Sequence, residues 1–181
     1  MKSIYKNTIG VLLCCASLFS CVEEQDFGQY DELNITPILE ASMLYVEAPE
    51  SLVNDAADAE VISRNFNFDA FTSDLFSERV IDGTITYIAE NTTSKQMDFR
   101  IEFLDVNGNL LDVEIFAVDP GQVYQRDIAY GSAGESIEII KNTSSLRVTA
   151  TNATGDTESV SNLPDPKIVL KSSGKFRMRV K

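Results

Sequence analysis

The stretch Gly83–Gln122, GTITYIAENTTSKQMDFRIEFLDVNGNLLDVEIFAVDPGQ, decides the fold class. Ile85, Tyr87 and Ala89 alternate with Thr84, Thr86, Ile88 and Glu90, and Phe99, Ile101 and Phe103 alternate with Asp98, Arg100 and Glu102. Period two is the signature of a strand with one buried face. Asn107 and Gly108 sit between two such runs, and an Asn-Gly pair there predicts a tight hairpin because both residues tolerate positive φ. Three antiparallel strands are therefore expected from this stretch alone.

The same alternation continues outward. ILEASMLYVEA, from Ile38, opens a domain and stops at Pro49, and an acidic, Ala-rich connection leads to VISRNFNFDAF, in which Phe66 and Phe68 are core candidates. TSDLFSER predicts a short helix with Thr72 or Ser73 as its N-cap. After the central stretch, QVYQRDIAY reads as a strand. GESIEIIKN is ambiguous between strand and helix, and the helix is preferred because Ile137 and Ile140 would share a face. SLRVTATNA is a strand with Leu146, Val148 and Ala150 inward, and LPDPKIVLKSSGKFRMRVK reads as a closing hairpin entered through Pro164 and Pro166. The fold class is all-β, with one or two short helices.

The order strand, ENTTSK turn, strand, DVNGN hairpin, strand and Pro120-Gly121 resembles the immunoglobulin-like modules of the FxLYD type over residues 83–129. The resemblance implies an immunoglobulin-like antiparallel β-sandwich and no catalytic activity.

The N-terminal segment is of a different kind. Lys2 and Lys6 precede an apolar run from Ile9 to Phe19 that ends in the small residue Ser20, the layout of a secretory signal rather than of a membrane span. Leu18-Phe19-Ser20-Cys21 resembles the lipobox of bacterial lipoproteins, which implies cleavage before Cys21 and acylation of that cysteine. Cys14 and Cys15 lie inside the apolar run and would leave with it. Three acyl chains would anchor the chain stably without a membrane span. Glu23, Glu24, Asp26, Asp31 and Glu32 then fall in a polar stretch too poor in apolar residues to build a core. The expected organisation is a signal peptide over 1–20, a lipidated acidic tether over 21–34 and one β-sandwich domain over 35–181. From Val22 to Asn34 the tether reaches at most about 40 Å at roughly 3.3 Å per residue. Glu23, Glu24 and Asp26, directly after the lipidated cysteine, also resemble the export signal of surface lipoproteins in the Bacteroidota.

Composition excludes several chemistries. The chain has 15 basic and 28 acidic residues, net −13, and loss of Lys2 and Lys6 with the signal takes the mature chain to −15. Such a surface repels nucleic acid and anionic lipid. The chain has no His and no Trp, and Cys21 is the one cysteine left after cleavage. Imidazole bases, Ser-His-Asp and Cys-His catalysis, and metal or haem sites built on His or Cys are thereby excluded. No disulfide is available to the mature chain. Without Trp, a glycan platform would rest on Tyr45, Tyr87, Tyr124 and Tyr130.

Four motifs have a bland and a sharp reading. Ser172 and Lys175 match Ser-x-x-Lys, whose serine needs a helix start, but here the tetrad SSGK falls in an expected turn. Asp105, Asn107, Asn109 and Asp112 space oxygens like a calcium loop, yet its sixth position, which wants Gly, is Leu110, so a plain hairpin turn is preferred. The carboxylates offer no selectable glycosidase pair. The Asn-x-Ser/Thr triplets at Asn91, Asn142 and Asn152 read as polar turns. The functional expectation is an outer-membrane-anchored lipoprotein, a non-catalytic accessory or interaction module at the cell surface, with the membrane and a surface protein as partners and no cofactor. The alternatives are a ligand-binding module, for calcium or a glycan, on the same scaffold, or an acid-pair hydrolase. A periplasm-facing lipoprotein is the alternative location.

Charge is also segregated. No Lys or Arg occurs between Val22 and Ser63, whereas Lys167–Lys181 holds six cations and no acid. In the closing strand Phe176, Met178 and Val180 are expected inward and Lys175, Arg177, Arg179 and Lys181 outward. The outward row is expected to pair with acids of the first strands, such as Glu40 and Glu47, or to remain a solvated edge.

Overall fold

In the computed structural model, which describes residues 35–56, 59–132 and 134–180, the quoted stretch supplies three of eight strands. They are β1 (Ile38–Pro49), β2 (Glu60–Asn67), β3 (Val80–Asn91), β4 (Met97–Leu104), β5 (Leu110–Val118), β6 (Val123–Tyr130), β7 (Ser145–Asn152) and β8 (Lys167–Met178). Four short helices intervene: α1 (Glu50–Ala56), α2 (Asp69–Thr72), α3 (Asp74–Ser77) and α4 (Ile137–Asn142). The strands form two four-stranded antiparallel sheets, ordered β1-β8-β3-β6 and β2-β7-β4-β5.

The expected antiparallel β-sandwich is what forms. Its connectivity differs from the immunoglobulin-like order, in which the chain forms sheets ABED and CFG. Here β4 pairs with β5, β3 with β6, β2 with β7 and β1 with β8. These nested pairs make one long ribbon, doubled back at the Asp105–Asn109 turn and rolled up so that β8 also meets β3 and β7 also meets β4. Eight strands wound this way are a jelly roll. Two of the three central strands therefore form the expected hairpin, while β3 lies in the opposite sheet.

The core follows the alternation read from sequence. Ile85, Tyr87, Ala89, Phe99, Ile101, Phe103, Leu146, Val148 and Ala150 are all buried. Phe66 and Phe68 pack against this core but are only half-buried. Helix α4 forms as preferred: the Ser136 hydroxyl caps it by accepting from the Glu138 amide, and Ile140 is buried while Ile137 is half-buried.

Four expectations need correction. The acidic connection after Pro49 is helix α1. TSDLFSER forms the expected short helix, α3, with Ser73 at its N-cap position, but Thr72 closes α2 and the Ser73 hydroxyl donates to the Ala70 carbonyl without capping α3. The closing hairpin is a single twelve-residue strand, β8. Phe176 and Met178 are buried there, but Val180 is 45% exposed, because it lies past the strand's end.

Candidate functional site

Cys21, Glu23, Glu24 and Asp26 lie outside the described residues. The other residues singled out from sequence are placed as follows. Ser172 and Lys175 are three apart in β8 rather than in a turn, and odd spacing in a strand puts side chains on opposite faces. Ser172 is buried and Lys175 is exposed, so the serine and the amine do not form a Ser-Lys pair. In the Asp105 turn one carboxylate oxygen accepts from the amides of Asn107 and Asn109, both at 2.8 Å, and the other from the Asn109 side chain at 2.9 Å. These hydrogen bonds, led by the Asn109 side chain, hold the carboxyl below its usual range. Both oxygens are thus spent on the hairpin. Among the described residues no cluster of three or more Asp or Glu is placed to hold a metal ion. Tyr87 and Tyr130 are core residues and Tyr124 stacks on Phe116 at 4.7 Å, so of the four tyrosines Tyr45 alone is freely exposed.

The cationic row is partly paired. Arg177 forms an ion pair with Asp82 of β3, and Lys167 bonds Glu47 of β1 at 3.4 Å. Glu40 sits opposite Lys175 in the β1–β8 register. Arg177 thus takes its acid from β3 and not from the first strand, since β8 lies between β1 and β3.

Two buried polar groupings were not visible in the sequence. The first closes one end of the sandwich. Glu50, 3% exposed, accepts from the amide of Ser94 at 2.6 Å and from the amide of Ser161 at 2.8 Å. Burial pushes its carboxyl up, but the hydrogen bonds from Ser94 and Ser161, aided by the Lys95 charge, outweigh it and hold the group below its usual range. Lys95, fully buried, donates to the Ser94 hydroxyl at 2.9 Å and to the Ser159 carbonyl. Asn91 completes the crossing from β3 to β4: its side-chain amide donates to the carbonyls of Lys95 and Val118, at 2.7 and 2.9 Å, and its oxygen accepts from Thr93. Asn152 makes the same turn with Thr154. Two of the Asn-x-Thr triplets are therefore side-chain-closed turns.

The second grouping lies along the seam where edge strands β5 and β6 face each other across the sandwich. Phe116 and Tyr124 stack at one point of it, and Arg126 pairs with Glu114 at 3.1 Å at the next. Burial raises the Glu114 carboxyl, opposed by Arg126 and reinforced by Asp112 and Glu135. The phenols of Tyr87 and Tyr130 are raised chiefly by burial, with Glu114 and Asp112 adding to it. Neither hydroxyl, nor one oxygen of Asp112, has a hydrogen-bond partner among the described residues.

A third feature is an apolar groove of about 380 Å³, floored by Phe76 and Met178 and flanked by Leu39, Leu75 and Val180, at the end of the domain where β1 begins and β8 ends.

No known protein family description matches the sequence, and no curated protein matches it. Solved structures resemble the fold at 8–9% identity. The infectious bursal disease virus VP2 subviral particle has a TM-score of 0.41, the match covering 80% of this chain and 33% of that one. This chain thus spans about a third of that protein's length. A protein of Bacillus endospore appendages, a family of disulfide-linked pili, has a TM-score of 0.38, covering 78% and 89%. A chain of the Israel acute paralysis virus pentamer has 0.42, covering 79% and 91%.

Proposed function

We propose that this chain is a bacterial outer-membrane lipoprotein, anchored through acylated Cys21 and displayed at the cell surface, where its β-sandwich acts as a non-catalytic accessory or interaction module. The observation that carries the reading is the run from Lys2 through the apolar Ile9–Phe19 to Leu18-Phe19-Ser20-Cys21. The burial of Tyr87 and Tyr130 and the occupied Asp105 carboxylate favour this reading over the glycan and calcium alternatives. The acids Glu23, Glu24 and Asp26 favour the outer face of the membrane over the periplasmic one.

Replacing Cys21 with Ala abolishes metabolic labelling by fatty acid and releases the protein from membranes; a labelled Cys21→Ala chain would overturn the anchor. Replacing Glu23, Glu24 and Asp26 together with Ala leaves labelling intact but shields the domain from protease added to whole cells. Wild-type protein already shielded on intact cells would make it periplasm-facing.

A further inference from the structure

We propose that the apolar end groove seats the domain directly on the bilayer that holds its lipid anchor, so that the sandwich stands on the membrane by one defined end; this rests on the lipoprotein reading above. The groove presents Leu39, Leu75 and Val180, which are 53%, 67% and 45% exposed, over a floor of Phe76 and Met178. Large aliphatic side chains this open, grouped in one place, mark a contact surface.

Two observations identify the lipid surface as the occupant. The first is continuity with the anchor. The groove is built where the domain begins: the Val180 amide donates to the Ile35 carbonyl at 3.2 Å and the Met178 amide to the Pro37 carbonyl at 2.9 Å. Ile35 follows a segment that runs from Cys21 over Val22–Asn34, at most about 40 Å long. An anchor that close makes a weak apolar contact effectively intramolecular, so a few side chains suffice. The second is charge. In a chain of net −13 the charged residues lining the groove are, among the described residues, Arg79 and Arg179, with no acid beside them in that lining. Apolar side chains beside arginines are the pattern of an interfacial contact with anionic headgroups. Asp74 and Glu78 are neighbours in the chain but do not line the groove.

The chain has no Trp, so a single introduced indole reports its own surroundings. The full-length acylated chain carrying Leu75→Trp is reconstituted into vesicles of phosphatidylethanolamine and phosphatidylglycerol, with and without bromine on the acyl chains. Ile115→Trp, at a 59% exposed position on the other sheet, is the comparison. Seating predicts a blue-shifted emission and bromine quenching for the indole at 75, neither at 115, and a loss of the quenching when Arg79→Glu and Arg179→Glu are added. Fatty-acid labelling with no quenching at 75 would overturn the seating and leave the anchor standing. Absence of labelling would overturn both. A blue shift at 75 without lipid, together with a doubled sedimentation mass, would assign the groove to a second copy of the chain and overturn the proposal.

Discussion

Replacing Glu50 with Gln tests whether the buried clamp at the end of the sandwich holds three segments together. The carboxylate ties the start of α1 to the turn before β4 and to the segment before β8, partners 44 and 111 residues away. Gln keeps one acceptor but turns an NH₂ group toward a backbone amide and removes the negative charge beside buried Lys95. Leaving a buried hydrogen-bonding group unsatisfied costs about 1–3 kcal/mol. At about 2–4 °C per kcal/mol for a domain of this size, the melting temperature is expected to fall by about 2–12 °C. The effect depends on pH in a definite direction. Because the folded-state pKa of Glu50 lies below its ordinary 4.5, its contribution is present above that value and is lost as the pH falls through the folded pKa. Thermal melts followed by circular dichroism should show a wide gap between wild type and Glu50→Gln near neutral pH, roughly pH 7, that narrows in acid below the carboxyl range. Equal melting temperatures near neutral pH would refute the clamp, and a gap unchanged in acid would refute its electrostatic origin.

Two further outcomes test the charged groups. Arg177→Glu places an acid beside Asp82 on an exposed face, so it should lower the melting temperature at low salt and much less at high salt; insensitivity at every salt concentration would mean the pair is merely solvated. Glu114→Gln removes a carboxyl whose pKa is raised by burial. Such a group favours the fold when protonated, and that contribution is lost as the pH rises through its folded value. The Gln variant should therefore be level with or above wild type near neutral pH and lose its advantage in acid, and a large loss near neutral pH would show that the Arg126 pair outweighs burial.

Strands were legible and their neighbours were not, for a physical reason. Alternation tells which side chains of β3, β4 and β7 turn inward, and those residues are buried. It carries no information on pairing, which joins Thr86 to Asp127 and Ile88 to Lys171 across the chain. Ser172-Ser173-Gly174 looks like a turn because turns favour such residues. The glycine has a different cause: a Cβ at Gly174 would lie 2.8 Å from the Met43 sulfur and as tightly against the Phe176 ring. The strand stays unbroken because its small residue accommodates a neighbouring aromatic. Glu50 was illegible because its burial depends on amides from Ser94 and Ser161 that only the folded chain delivers.

The charge segregation acquires a structural meaning from the rolled ribbon. Folding the chain back at Asp105–Asn109 pairs strands in nested order, so the first and last strands must become neighbours. An acidic beginning and a cationic end are thereby laid side by side, and β8, sandwiched between β1 and β3, finds acids on both flanks in Glu47 and Asp82. Had the chain folded in immunoglobulin order, the last strand would have no such guarantee of the first as its partner. The same adjacency brings Ile35 and Val180 together. One end of the domain therefore carries the entry of the chain together with exposed Leu39, Leu75 and Val180 and with Arg79 and Arg179, which form no ion pair among the described residues.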